Sequence, residues 1–262
     1  MTKLVELMEE LKRQFPFILS IPKGTHKAHF VDFETLDRIE VKSCFTAVEL
    51  SKDVLSRGIA EKVDLFVTHH DLFSSHSNQM IHGLRRQMIR ALQSHGIVVY
   101  ALEDSILGAE NGLSEALVSE LGLAEYIIKN FNLENNPVGR IAQLPNLPTQ
   151  NMVEKARKVM KTPQIRLVRG RKSTLEKTLI VAGTLEIENL KKALPERIDS
   201  VVTGDFGYEV ARLAVEENVF LFGVGHICSE APGMRNLAMD LAIKYRDVKI
   251  DFMPSPGLIG SG

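Results

Sequence analysis

The sequence has few cysteines and no long apolar run, and these absences argue against several classes of protein. Two cysteines in 262 residues, Cys44 and Cys228, do not make a disulfide framework, so a reducing compartment is expected. The first segment, MTKLVELMEELKRQF, is too charged for the apolar core of a signal peptide. No apolar run approaches the roughly 20 residues that a membrane helix needs. We therefore expect a cytoplasmic protein.

Excess charge of one sign is also missing. Lys plus Arg number 32 and Asp plus Glu number 33, which gives a formal net charge of −1. Charge therefore gives no reason to expect a nucleic acid or a membrane surface as partner. The sequence contains neither a P-loop nor a GxGxxG motif, the common phosphate-binding loops.

Short apolar runs alternate with amphipathic helical patterns along most of the chain. VDLFVT and IVVYAL are typical of buried strands, whereas GLRRQMIRALQSHG is typical of a helix closed by Gly96. This alternation predicts a layered α/β fold with mixed, largely parallel sheets. We expect two lobes, residues 1–125 and 126–262. The second begins with a Pro- and Asn-containing, loop-rich segment (126–165), and the last strand is a candidate to return to the first lobe.

Two adjacent histidines, His69 and His70, follow the apolar run VDLFVT. In layered α/β folds, ligands bind at the carboxyl ends of strands. Neighbouring residues of a strand point to opposite faces, but the backbone can turn at a strand end, so both imidazoles could face one cleft. The alternative is a surface pair engaged in local hydrogen bonds.

A second apolar strand, VFLFGVG, also ends in a histidine, His226. Glu230 lies four residues on, which is one helical turn, so the two side chains could meet a shared ion. The alternative is an ordinary helix N-terminus with a capping Ser229, followed by Pro232 and Gly233 at the turn into another helix.

Taken together, the two motifs predict a metal site. Imidazole with carboxylate suits zinc, iron, manganese or nickel. No paired thiols lie near either motif, which argues against a structural zinc knuckle.

The same residues carry a family resemblance over nearly the whole chain. VDLFVTHH resembles the DLIVTHHP signature of the GTP cyclohydrolase I type 2 homolog family, also called Nif-three-like. TGDFGYEVARLAVEENVFLFGVGHICSE resembles that family's second signature. The resemblance implies a Nif-three-like two-lobe fold with up to two divalent ions (zinc, iron or manganese) in the cleft between the lobes. It also implies that His69, His70, His226 and Glu230 are ligands, and that the chain forms a homo-oligomer, a ring-shaped hexamer.

The chain departs from the family pattern at one expected ligand. The aspartate that contacts both metals in the family falls on Leu107 in an ungapped alignment, and a leucine cannot bind a metal. Either Glu103 or Asp104 supplies the carboxylate, or the second metal is weak or absent. The proline that usually follows the histidine pair is Asp71 here, a candidate acceptor for a histidine N–H.

Two functions follow from these features. The first is a metal-dependent hydrolase acting on a small nucleotide-like or phosphoester substrate, as the family name suggests, with Glu230 or the carboxylate near residue 103 steering the proton. The alternative is a non-catalytic metal-binding, regulatory or adaptor protein. The same ligands would serve both.

Overall fold

The computed structural model describes residues 1–16, 26–72, 82–161 and 165–255. These residues form two compact units, each with its own sheet. The first contains the described residues of 1–106 and 234–255, and the second contains those of 107–233. The sequence-based division fell instead between residues 125 and 126. None of the described helices is both long enough and apolar enough to cross a bilayer.

The first unit is built on a five-stranded sheet in which parallel pairs dominate. Its strands, in spatial order, are β1 (Lys27–His29), β4 (Val98–Ala101), β3 (Leu65–Thr68), β2 (Ser43–Ala47) and β11 (Lys249–Phe252). All pairs are parallel except β1 with β4. Strands β2, β3 and β4 are buried along their whole length, as expected for central strands covered on both faces.

Three of the described α-helices lie wholly within the first unit. They are α1 (Leu4–Gln14), α2 (Lys52–Ala60) and α3 (His82–His95). The Ser51 side chain accepts a hydrogen bond from the Val54 N–H and caps α2. Gly96 follows α3 with a positive φ of 66°, a conformation that glycine adopts without strain at a helix end.

The second unit has a six-stranded mixed sheet. Its strands, in spatial order, are β5 (Ile127–Leu133), β6 (Asn136–Pro148), β8 (Thr174–Leu185), β9 (Ser200–Phe206), β10 (Phe220–Gly223) and β7 (Arg166–Val168). Only β8–β9 and β9–β10 are parallel. The helices are α4 (Leu113–Glu120), α5 (Thr149–Met160), α6 (Ile187–Ala193) and α7 (Tyr208–Glu216). The α/β class with mixed sheets is confirmed.

The expectation of a loop-rich segment at 126–165 is wrong, because β5 and β6 form a long antiparallel hairpin there. Glu134 and Asn135 both have positive φ, 46° and 70°, as in the tight two-residue turns that join antiparallel strands. Pro137 precedes the part of β6 that pairs with β8, and Pro145 lies in the register irregularity between Gln143 and Leu147. Pro145 therefore lies where the β6–β8 ladder is already interrupted, whereas Pro137 is paired with Asn132 of β5.

One smaller expectation also fails. Pro232 and Gly233 do not mark a turn, because α8 (His226–Lys244) runs through both. A Cβ at Gly233 would lie 2.6 Å from Leu113 Cδ2, so the missing side chain permits close packing instead of a bend.

His26 is held as a neutral imidazole beside β4. Its Nε2 is 2.8 Å from Ser105 Oγ, which itself donates to the Leu102 carbonyl, so Nε2 must be the donor. Its Nδ1 is 2.8 Å from the Tyr100 hydroxyl and accepts from it. Burial lowers the pKa of His26 to about 4, because the charged form would lose hydration.

Because of this environment, we expect the free energy of unfolding of the metal-free protein to fall in acid. The pKa of His26 is below its ordinary value, so protonation favours the unfolded state, and stability should fall as the pH drops from about 6.5 towards 4. We expect His26→Gln to lose less stability over that window than the wild type in chemical denaturation with a chelator present. His95→Gln, at an exposed histidine, is the control. Identical pH profiles for all three proteins would contradict this account.

Candidate metal centre

His69 and His70 continue directly from β3, and their backbone remains paired with the end of β2. The His69 N–H donates to the Ala47 carbonyl at 3.2 Å, and the His70 N–H donates to the Val48 carbonyl at 2.9 Å. The two ring centroids are nevertheless only 4.1 Å apart. The backbone therefore turns enough at the strand end to bring consecutive imidazoles together, as the sequence suggested.

The His69 ring is oriented by the backbone of Glu103. His69 Nδ1 lies 3.1 Å from the Glu103 carbonyl oxygen, and the Glu103 N–H donates to the His69 carbonyl at 2.8 Å. A carbonyl only accepts, so Nδ1 carries the proton, and Nε2 is the nitrogen suited to a metal. Glu103 has a positive φ of 50° in this contact, a strained backbone of the kind found at functional sites.

The second motif lies in the first turn of α8. His226 Nε2 is 3.2 Å from Glu230 Oε1, so the spacing of four residues joins the two side chains as predicted. Glu230 is buried at 1% exposure, whereas His226 is partly exposed. His226 Nδ1 also lies 3.3 Å from Thr184 Oγ1 and 3.6 Å from Asp205 Oδ2. Asp205, in β9, thus lies beside His226.

Ser229 and Gly183 hold this turn in place. Ser229 Oγ donates to the His226 carbonyl at 2.7 Å and accepts from the Gly183 N–H at 2.8 Å. Gly183 has a positive φ of 71°, and a Cβ there would lie 2.7 Å from Glu230 Oε1. Sequence reasoning saw Ser229 only as a helix cap. Its spacing of three from His226 was the available signal for a bond to that carbonyl.

Three of the predicted residues offer a set of donors suited to a metal ion. His69 and His70, in the first unit, and Glu230, in the second, each offer one ligand atom. Two imidazoles with one carboxylate is a donor set found at catalytic zinc sites, which keep a further position for water or substrate. The donor chemistry therefore fits a divalent ion.

The other proposed ligands are not part of this group. The Glu103 carboxylate lies 3.2 Å from the Lys27 ammonium. Asp104, in the short 3₁₀ helix Glu103–Ile106, is half-buried, and His226 contacts Glu230 as described. The assignment of Glu103, Asp104 and His226 as ligands stays a prediction.

Asp71 accepts a hydrogen bond from the ring of His29. Asp71 Oδ1 lies 2.6 Å from His29 Nε2, and Asp71 Oδ2 lies 3.1 Å from Lys27 Nζ. Burial alone would lower the pKa of Lys27, but the hydrogen bonds to Asp71 and Glu103 raise it above 10.5. Lys27 is therefore a cation at neutral pH.

The fold and this pair of strand-end motifs define a protein of the Nif-three type. The model of the DUF34/NIF3 (NGG1p interacting factor 3) family matches residues 36–256. The chain belongs to this family.

Curated relatives carry the name GTP cyclohydrolase 1 type 2 homolog. The one from Buchnera aphidicola (subsp. Acyrthosiphon pisum) is 25% identical over 223 residues, 81% of this chain and 84% of its own. The one from Clostridium acetobutylicum is 22% identical over 199 residues, 74% of each chain.

Solved structures share the fold. Reduced HcgD from Methanocaldococcus jannaschii superposes with a TM-score of 0.79 at 20% identity, covering 97% of both chains. A Bacillus cereus protein related to NIF3 superposes with a TM-score of 0.77 at 14% identity, covering 99% of this chain and 98% of its own. At these identities the likeness establishes the fold alone.

The contact between Gly183 and Glu230 predicts a specific substitution effect. Gly183→Ala should lower the free energy of unfolding by about 1–2 kcal/mol, because an alanine at positive φ is strained, and should weaken metal binding, because its Cβ displaces the Glu230 carboxylate. The measurements are denaturant unfolding and competitive zinc titration.

Gly207→Ala is the matched control, because a Cβ at Gly207 would meet nothing within 4 Å and its φ is −83°. Equal zinc affinity of Gly183→Ala and Gly207→Ala would show that Gly183 does not position Glu230.

Proposed function

We propose that this protein is a metal-dependent hydrolase whose divalent ion is bound by His69, His70 and Glu230. The observation that carries the proposal is the pairing of the His69 and His70 rings at a strand end, with centroids 4.1 Å apart, and the buried Glu230 carboxylate completes the donor set. Two ligands come from the end of one strand and one from the first turns of a helix, and such ends are where α/β proteins place their chemistry. Zinc, iron and manganese all accept this donor set.

The class of substrate is inferred from the relatives. Their name, GTP cyclohydrolase 1 type 2 homolog, refers to a guanine nucleotide. We extend this to a small nucleotide-like or phosphoester substrate, whose scissile group is electron-poor and carries oxygens that a divalent ion can polarise.

The chain's own residues would orient the site and handle the proton. When bound, the ion would act as a Lewis acid and would lower the pKa of a water molecule bound to it. The Glu103 carbonyl fixes the tautomer of His69 through Nδ1. A carboxylate has two oxygens, so Glu230 can contact His226 Nε2 through Oε1 while its other oxygen serves as a ligand. The Glu230–His226 pair is our candidate for moving the proton, with Glu230 as the catalytic residue.

A specific feature favours the second candidate, a non-catalytic metal-binding or regulatory protein. In an ungapped alignment the resemblance places Leu107 where the family has its shared aspartate, and the Glu103 carboxylate contacts an ammonium group. A second metal position that lacks one of its ligands is compatible with metal binding without turnover. The homohexamer, the cytoplasmic location and the site in the cleft between the lobes also stay predictions.

Metal retention tests the ligand assignment. We expect His69→Ala, His70→Ala and Glu230→Gln each to weaken zinc binding by more than the roughly 10–100-fold that losing an outer-shell partner costs. Affinity is measured by chelator competition, and metal content by elemental analysis. His95→Ala, at an exposed histidine, is the control and should bind zinc as the wild type does.

Turnover separates the two candidate functions. The zinc- or manganese-loaded wild type is assayed with guanine nucleotides and with aryl phosphoesters, and Glu230→Gln serves as the matched inactive variant. Hydrolysis that disappears in Glu230→Gln supports the enzyme. A fully loaded wild type without turnover on any of these compounds supports the binding protein. A wild type that retains no metal refutes both.

A further inference from the structure

Lys27 bridges two buried carboxylates beside the histidine pair. It is the first residue of the edge strand β1, opposite Ala101 of β4. Its Nζ lies 3.1 Å from Asp71 Oδ2 and 3.2 Å from Glu103 Oε1. The Asp71 and Glu103 side chains are only 3% and 1% exposed, whereas Lys27 is 38% exposed. The ammonium group therefore extends inward from the surface and binds two carboxylates that are almost inaccessible to water.

The carboxylates need a cation for electrostatic reasons. Two buried carboxylates that share one partner repel each other, and each is costly to bury without a compensating charge. His29 Nε2 contacts Asp71 Oδ1 at 2.6 Å, whereas Lys27 contacts the other oxygen, Oδ2. Among the described residues, Lys27 is the one lysine or arginine within ion-pair distance of both carboxylates.

The Asp71–Glu103 pair lies next to the backbone hydrogen bonds that orient His69. The backbone of Glu103 exchanges two hydrogen bonds with His69, at 2.8 and 3.1 Å, and Asp71 follows His70 directly in the chain. Any second ion bound near the histidine pair through Glu103 would have to displace the lysine. Carboxylate oxygens are the donors that hard ions such as Mn²⁺ accept.

We propose that the Lys27 ammonium takes the place of a second divalent ion, so that the chain holds one ion and the Asp71–Glu103 pair is a latent manganese site. The inference rests on the proposed ion at His69, His70 and Glu230. It assigns Lys27 as the residue that sets the metal stoichiometry. Removing the ammonium while retaining both carboxylates should therefore open a second site.

The test compares Lys27→Met with a matched lysine. Lys172 Nζ lies 3.2 Å from the buried carboxylate of Asp199, so Lys172→Met removes a similar ion pair elsewhere. Each protein is loaded with one equivalent of zinc, dialysed against micromolar Mn²⁺, and analysed for both elements. We expect one zinc and no manganese in the wild type and in Lys172→Met, and one zinc plus one manganese in Lys27→Met.

Thermal melting gives a second readout that does not depend on activity. Lys27→Met should melt at a lower temperature than the wild type and recover when Mn²⁺ is added, because the ion replaces the lost ammonium. The double variant Lys27→Met, Glu103→Gln should show neither the manganese nor the recovery. Should Lys27→Met fail to fold, Lys27→Gln carries the same test with a neutral donor.

Each outcome bears on one claim. Two ions in the wild type, or a folded Lys27→Met with no manganese, overturns the role of Lys27 while the zinc site stands. A wild type that binds no zinc overturns the proposed function, and with it the single-ion stoichiometry. Manganese binding by both Lys27→Met and Lys172→Met would mean that loss of any lysine opens a nonspecific site, which also overturns the inference.

Discussion

The reciprocal pair of hydrogen bonds between His69 and Glu103 is the constraint on which the rest of the candidate site depends. The Glu103 N–H holds the His69 carbonyl, and the Glu103 carbonyl holds His69 Nδ1. This fixes the tautomer and the direction of a buried imidazole without using a side-chain carboxylate. Because the Glu103 backbone does this work, its carboxylate is available for Lys27. Glu103 therefore links the orientation of the His69 ring to the ion pair with Lys27.

The second motif is held by comparable means. Ser229 ties the first turn of α8 to Gly183, and the absent side chain of Gly183 leaves space for the Glu230 carboxylate. Both motifs thus rely on backbone groups near strand ends for their geometry. Backbone anchors are rigid, and rigid anchors are what hold metal ligands within a few tenths of an ångström of the required positions.

Much of this could be predicted from the sequence, because the signals are local. The buried run before His69 and the spacing of four between His226 and Glu230 each depend on a few consecutive residues. The alternation of strands and helices gave the α/β class for the same reason. The hairpin of β5 and β6 was missed because prolines and asparagines were taken as loop signals, although the two-residue turn at Glu134 and Asn135 and a register irregularity accommodate them.

The charge network could not be predicted from sequence, because its partners are far apart in the chain. Lys27 meets Asp71 and Glu103 only because β1 pairs with β4 at the edge of the sheet. A three-residue strand in a polar segment carries no periodic pattern that would reveal it. Nothing local distinguishes Lys27 from the other lysines of the chain.

X-ray absorption at the zinc edge of the loaded protein tests the central claim most directly. The account predicts scattering from two imidazole rings, with Zn–N distances of about 2.0–2.1 Å, together with oxygen and no sulfur. A sulfur shell at about 2.3 Å, which would implicate Cys44 or Cys228, or a spectrum without imidazole would contradict it.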